Sequence, residues 1–236
     1  MVHRGRECRV IAFTDVDVVA VDGPVLLHDI SVSLSERRVA VIGANGSGKT
    51  TLARLINGLT LPTRGTVTVD DIDTAREPRA VQRRVGFVFQ DADHQLVYPT
   101  PVEDIALGLR AHGLGKGAAH AAAMATLRRV SLDHKADQAI HTLSGGVKHL
   151  VALCGVLALE PTWIVLDEPT TTLDLTNRLR VIDVLLGLPQ HLVIVSHDLD
   201  LVRQLDRVLL IDQGTVAADG PAAGTIGTYT DMIGVG

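Results

Sequence analysis

Gly43-Ala44-Asn45-Gly46-Ser47-Gly48-Lys49-Thr50 holds two glycines, a lysine and a hydroxyl at the spacing Gly-x-x-x-x-Gly-Lys-Ser/Thr. The short apolar run Val39-Ala40-Val41-Ile42 precedes it. A stretch in which Leu52, Leu55 and Ile56 share one helical face follows. A strand, a glycine-rich turn and a helix in that order give a backbone that curls around phosphate, its N–H groups pointing inward and the helix N-terminus adding a favourable dipole. Lys49 is expected to reach the β- and γ-phosphates, and the Thr50 hydroxyl to ligate Mg²⁺. The nucleotide-contacting set expected here is Gly43, Asn45, Gly46, Ser47, Gly48, Lys49, Thr50 and Thr51. By itself the motif implies a bound nucleoside triphosphate and nothing finer.

Outward from this loop, strand-like runs alternate with helical ones, which predicts an α/β fold with a parallel sheet buried on both faces. Strands are expected at Val39–Ile42, Thr66–Val69, Val85–Phe89, Trp163–Leu166, His191–Val195 and Val208–Ile211, with helices at Lys49–Asn57 and Leu175–Leu186. The stretch from Asp91 to Leu159 is different in character. Thr100-Pro101-Val102-Glu103 has the form of a helix start, with Thr100 as cap, Pro101 in the first turn and Glu103 closing a capping box. The alanine-rich run Ala118–Val130 and the run Val147–Leu159 follow. This predicts one domain, with residues 1–90 and 160–236 forming the α/β core and residues 91–159 an inserted, mainly helical subdomain.

Two further motifs carry chemistry. Trp163-Ile164-Val165-Leu166-Asp167-Glu168 is an apolar strand ending in two acids, at the sheet edge where such folds bind ligands. Asp167 is placed to help hold Mg²⁺, and Glu168 to polarise an attacking water as general base. Leu143-Ser144-Gly145-Gly146 sets a hydroxyl and backbone N–H groups at a helix start, a second anion site about 20 residues before the acids.

The order of the phosphate loop, Gln90 after a strand, Leu143-Ser144-Gly145-Gly146, Asp167-Glu168 and His197 after a strand resembles the ABC ATPase family from about Val10 to Pro221. The resemblance implies a P-loop NTPase fold with a RecA-like core, an inserted helical subdomain and N-terminal antiparallel β strands. It implies hydrolysis of ATP with Mg²⁺ held by Thr50, Gln90 and Asp167. Glu168, His197 and Gln90 would be the catalytic set, with His197 on the γ-phosphate. It also implies that Leu143, Ser144, Gly145 and Gly146 of one chain close on the ATP held by a second ATPase chain, identical or paralogous. Asp174 matches the family's interface aspartate, and equally could cap the helix beginning at Leu175.

Three departures stand out. Val147 occupies the position of the usual glutamine after the second signature glycine, and His149 stands where a basic residue is common. No aromatic residue lies in Val16–Val25, and Ala20 falls where the family stacks one on adenine, so base binding is expected to rest on apolar contacts.

Phe89-Gln90-Asp91-Ala92-Asp93-His94-Gln95-Leu96 resembles the corresponding segment in ATPases of energy-coupling-factor importers. There it receives coupling helices of a membrane scaffold, and Asp91 and Asp93 would pair with arginines on them. Glu36-Arg37-Arg38 and Thr170-Thr171-Thr172-Leu173-Asp174-Leu175 resemble biotin-importer ATPases. The implied partners are a transmembrane T component and a substrate-binding S component. A cobalt or nickel importer and a non-transport ABC ATPase are the alternatives, the second disfavoured by a lone P-loop without heptads or clustered cysteines.

Bulk properties agree. At 236 residues, 46% hydrophobic with mean hydropathy +0.26, the chain is apolar, yet its longest apolar run, Leu150–Leu159, is far short of the roughly 20 residues a spanning helix needs. Net charge −5 disfavours a nucleic-acid partner. Arg4, Arg6 and Arg9 precede no apolar signal core, so the chain is expected to stay in the cytoplasm, where the resemblance implies a peripheral place on the cytoplasmic face of the membrane. Cys8 and Cys154 are far apart and are expected to be reduced thiols.

Overall fold

A computed structural model describes residues 9–21, 23–171 and 173–234. Cys8, the basic residues before it and Thr172 lie outside these. The chain forms two compact units: one runs to Val85 and resumes at His191, and the other is Gly86–Gln190.

The first unit holds β1 (Ile11–Val19), β2 (Val25–Leu34), β3 (Arg38–Ile42), α1 (Lys49–Ile56), β4 (Arg64–Val69), β5 (Ile72–Asp73) and α2 (Pro78–Gln82), with β6 (Val85–Val88) leaving it. Later in the chain come β8 (His191–Val195), α7 (Leu199–Val202), β9 (Arg207–Asp212), β10 (Thr215–Gly220) and α8 (Ala222–Met232), all in this unit; β7 belongs to the other. The expected N-terminal antiparallel strands are present as a sheet in the order β2-β1-β4-β5. Ile11, Phe13, Val16 and Val18 of β1 are buried and Thr14, Asp15 and Val19 are not, so this sheet keeps one dry face.

β3 sits between β8 and β9 and is parallel to both, with Val41 opposite Val195 and Leu209. From Val39 to Ile42 every residue of β3 is fully buried, as are Leu192–Val195 of β8. A continuous apolar run without alternation is what a strand covered on both faces requires. β10 closes the edge antiparallel to β9.

The second unit is mainly helical: α3 (Pro101–Ala111), α4 (Lys116–Arg129), α5 (Gly145–Leu157) and α6 (Leu175–Gly187), with β7 (Trp163–Asp167) between the last two. The apolar run from Leu150 is the body of α5, whose residues Leu150–Cys154 are all buried. It is therefore a core helix, and no helix among the described residues is long and apolar enough to cross a membrane. α4 faces inward through Ala119, Ala123, Thr126 and Leu127, one stripe at helical spacing. Trp163, with no exposed surface, anchors β7.

The helix start at Thr100 differs from expectation. Thr100 occupies the cap and Pro101 the first turn, but no side chain caps the backbone. The Thr100 hydroxyl donates instead to the Glu103 carboxylate at 2.7 Å, so the two partners of the expected box satisfy each other. Asp104 turns outward and accepts from the N–H groups of Val97 and Tyr98.

Candidate nucleotide site

β3 ends at Ile42 and α1 begins at Lys49, and the six residues between them form the loop. Gly43 has φ 143°, and a Cβ there would lie 2.1 Å from the Ile211 carbonyl oxygen. Gly48, in the left-handed region at φ 109°, caps α1. Without a Cβ at Gly43 the loop can hug β9, and without one at Gly48 it can approach Leu26 and Leu27 of β2, a curled backbone of the kind that cradles phosphate. Lys49, only 7% exposed, donates to the carbonyls of Gly43 at 2.9 Å and Ala44 at 2.7 Å. The ammonium is thus held at the mouth of the loop. The Ser47 hydroxyl is buried and has no hydrogen-bond partner among the described residues, a polar group pointed into the loop as a ligand-contacting donor would be.

His197 follows the strand next door, β8, whose end lies beside that of β3, so its loop and the phosphate loop leave the sheet at the same edge. The Ser196 N–H donates to Val41 O, and the Asp198 N–H to the Ser196 hydroxyl. These bonds present His197, an exposed side chain, between two anchored neighbours.

In the second unit, Asp167 ends β7 and Glu168 follows it, 3% and 8% exposed. Glu168 has φ 51°, a strained conformation for a side-chain-bearing residue and one that clusters at functional sites. Thr171 donates its hydroxyl to the Glu168 carboxylate. Gln90 is exposed. Gln90, Gly145, Lys148, His149 and Thr171 line one cavity of about 330 Å³.

Ser144 caps α5 by position, with no side-chain capping bond to the helix, and Gly145 and Gly146 open the helix. A Cβ on Gly146 would meet Asn177 Cβ at 2.4 Å, so glycine lets α6 approach the signature turn. Leu143 is buried at 7%. Val147, in the place of the usual glutamine, is turned into the apolar interior at 7% exposure. Asp174 caps α6, accepting from Asn177 N at 2.9 Å and Asn177 Nδ2 at 2.6 Å, and these bonds hold its carboxyl below the usual range.

The acidic segment is more occupied than its sequence suggests. Lys148 of α5 clasps both oxygens of Asp93 at 2.6 and 2.9 Å. Asp91 accepts from the Asp93 N–H and caps a single 3-10 turn, Ala92–His94. Asp93 is therefore paired within the chain, where an external arginine was expected. Sequence reasoning missed the partners Lys148, His149 and Thr171. Of these, only Thr171 carries a local signal, a hydroxyl three residues after the acid.

At the missing aromatic, Ala20 closes the turn between β1 and β2, donating to Pro24 O at 3.1 Å. Phe13, the aromatic residue on β1, is 3% exposed and belongs to the core. Cys154 is free, and burial pushes its thiol up to about 12, so it is an inert core residue.

A family model described as ABC transporter matches residues 27–171. The biotin transport ATP-binding protein BioM of Rhizobium etli is 45% identical over 208 residues, 88% of this chain and 92% of its own length. Among solved structures, CbiO1 of Clostridium perfringens, described as part of the ABC transporter complex cbiONQ, gives a TM-score of 0.82 at 28% identity, over 95% of this chain and 93% of its own. The ATP-binding cassette MJ0796, solved as a dimer in a post-hydrolysis state with ADP and Pi, gives 0.80 at 26% identity, over 90% and 98%.

Proposed function

This chain belongs to the ABC transporter family as an ATP-binding, ATP-hydrolysing domain, and we propose that it energises an energy-coupling-factor importer for biotin. The observation that carries the assignment is the similarity to BioM, which spans 92% of that protein and is therefore not confined to the shared phosphate loop. The likeness to CbiO1 supports the importer class and, with it, a peripheral position on the cytoplasmic face of the membrane beside a T and an S component.

In this reading the loop Gly43–Thr51 cradles the phosphates through backbone N–H groups, the Ser47 hydroxyl and the Lys49 ammonium. Thr50, Gln90 and Asp167 offer a hydroxyl, an amide carbonyl and a carboxylate. An all-oxygen donor set suits a hard cation, and Mg²⁺, when bound, neutralises phosphate charge. Glu168 accepts a proton from the attacking water, and His197 orients the γ-phosphate. Ser144, Gly145 and Gly146 contact the nucleotide of a second ATPase chain, as the dimeric state of MJ0796 suggests. ATP binding then favours the closed pair, and hydrolysis releases it to move the membrane partner.

The test is gentle purification of the chain from its own membranes, with identification of co-purified proteins and retained small molecules. A helical scaffold with a small membrane subunit holding biotin is the expected result. The same architecture holding a metal ion overturns the biotin assignment, and repeated recovery with no membrane partner overturns the importer reading.

A further inference from the structure

We propose that His149 is a positioning residue that ties the Gln90 segment to the start of α5, so that the signature turn and the glutamine move as one piece. The inference rests on the reading that Gln90 and Ser144–Gly146 take part in the ATP cycle. The ring of His149 is 7% exposed. Its Nε2 lies 2.9 Å from the backbone oxygen of Gln90, 59 residues away in sequence, and its Nδ1 lies 3.1 Å from the oxygen of Gly145. Both partners are carbonyls, which only accept, so each nitrogen that bonds its partner must carry a hydrogen. The shorter contact is the one that reaches across to the glutamine.

Two other contacts join the same pair of segments. Lys148, the preceding residue on α5, holds Asp93 through both carboxylate oxygens. Gln95 accepts from the Phe89 N–H at 3.2 Å through its side-chain oxygen and reaches Ala152 O at 3.4 Å through its amide. The segment from Phe89 to Gln95 is thereby fastened to α5 at successive turns. Of the three links, the His149 bond alone acts on Gln90 itself, and it does so from the turn that carries Gly145. A displacement of the signature turn therefore pulls directly on the backbone of the glutamine. The adjoining cavity, lined by Gln90, Gly145 and Thr171, sets this tie beside the partner of the Glu168 carboxylate.

Geometry supplies a discriminating pair of variants. The amide nitrogen of glutamine lies about as far along its side chain as Nε2 does in histidine, whereas that of asparagine reaches only as far as Nδ1. His149→Gln keeps the bond to Gln90, and His149→Asn keeps only the one to Gly145. Amide hydrogen exchange of residues 89–96 is to be followed in the isolated chain, and kcat and KM for ATP in the intact transporter complex.

Loss of the bond to the Gln90 carbonyl should speed exchange about tenfold in His149→Asn and lower its kcat by a similar factor, with KM near the wild-type value. His149→Gln should stay within about twofold on both measures. Unchanged exchange in His149→Asn overturns the tie. Faster exchange with unchanged kcat overturns its positioning role while leaving the contact intact. Equal losses in both variants would assign His149 to packing alone and overturn the proposal. The nucleotide-site reading fails by a separate sign, undiminished ATP turnover in Lys49→Ala, which has no bearing on the exchange result.

Discussion

The hydroxyl of Thr171 donates to the carboxylate of Glu168 over 3.1 Å, three residues along the chain. The acid is 8% exposed and its backbone sits at φ 51°. A carboxylate held at both its backbone and its tip has few orientations open to it. This suits a base that must meet one water molecule. Thr171→Val keeps the shape and removes the donor. A single hydrogen bond of this kind is worth about 1 kcal/mol, so kcat for ATP should fall about fivefold with KM little changed. A steady-state ATPase assay of the complex checks this, and a KM shift without a kcat shift would move Thr171 from orienting the base to binding nucleotide.

Glu168→Gln should bind MgATP and hardly turn it over, with kcat lower by at least about 10²-fold, because an amide cannot accept the proton. A closed dimer should accumulate with saturating MgATP, seen by light scattering behind size exclusion. A variant that hydrolyses normally would remove Glu168 from the catalytic set.

Gly43→Ala sets a methyl group against the backbone oxygen of Ile211, an atom that cannot swing aside as a flexible side chain could. Overpacking against a backbone typically costs about 1–3 kcal/mol. Urea denaturation should show a loss in that range, together with weakened ATP binding. Gly155→Ala is the matched control, since a Cβ at that position meets nothing within 4 Å.

Arg207 joins three parts of the first unit. It binds Asp219 in two parallel bonds of 2.7 and 2.6 Å, Glu36 at 2.9 Å and the Ser33 carbonyl at 2.8 Å. Burial pushes the Glu36 carboxyl up, but the bonds from Arg207 and the backbone outweigh it and hold the carboxyl below its usual value. The contribution of Glu36 is therefore fully present above the unfolded carboxylate value of about 4.3 and is lost as pH falls through the lower folded value. Arg207→Gln should cost about 2 kcal/mol at neutral pH. The gap between wild type and variant should narrow as pH falls below about 4, measured by urea midpoints across that window. A gap that is constant with pH would assign the loss to packing of the arginine stem.

Much of the fold was legible because it depends on local order. The runs Val39–Ile42 and His191–Val195 can only be strands of a sheet covered on both faces, and they are. Leu175–Leu186 announces its helix by spacing and ends, and α6 runs Leu175–Gly187. The start of α3 shows the limit. Thr100 and Glu103 have the right identities for a capping box, yet the hydroxyl prefers the carboxylate to the backbone. Sequence names the groups, while the choice among several nearby acceptors depends on side-chain rotamers.

The candidate site divides in the same way. The sequence by itself determined the phosphate loop, since a backbone that must turn sharply and approach β9 closely admits only glycine at Gly43. It determined the strand-end position of Asp167, Glu168 and His197, because buried runs stop where polar residues begin. Only the tertiary structure decided that Lys148 occupies Asp93, that His149 reaches Gln90, and that Arg207 gathers Glu36 and Asp219. The first two pairs are separated by 55 and 59 residues and Arg207 from Glu36 by 171. Contacts at that range are set by how helices and strands pack, and no spacing along the chain encodes them.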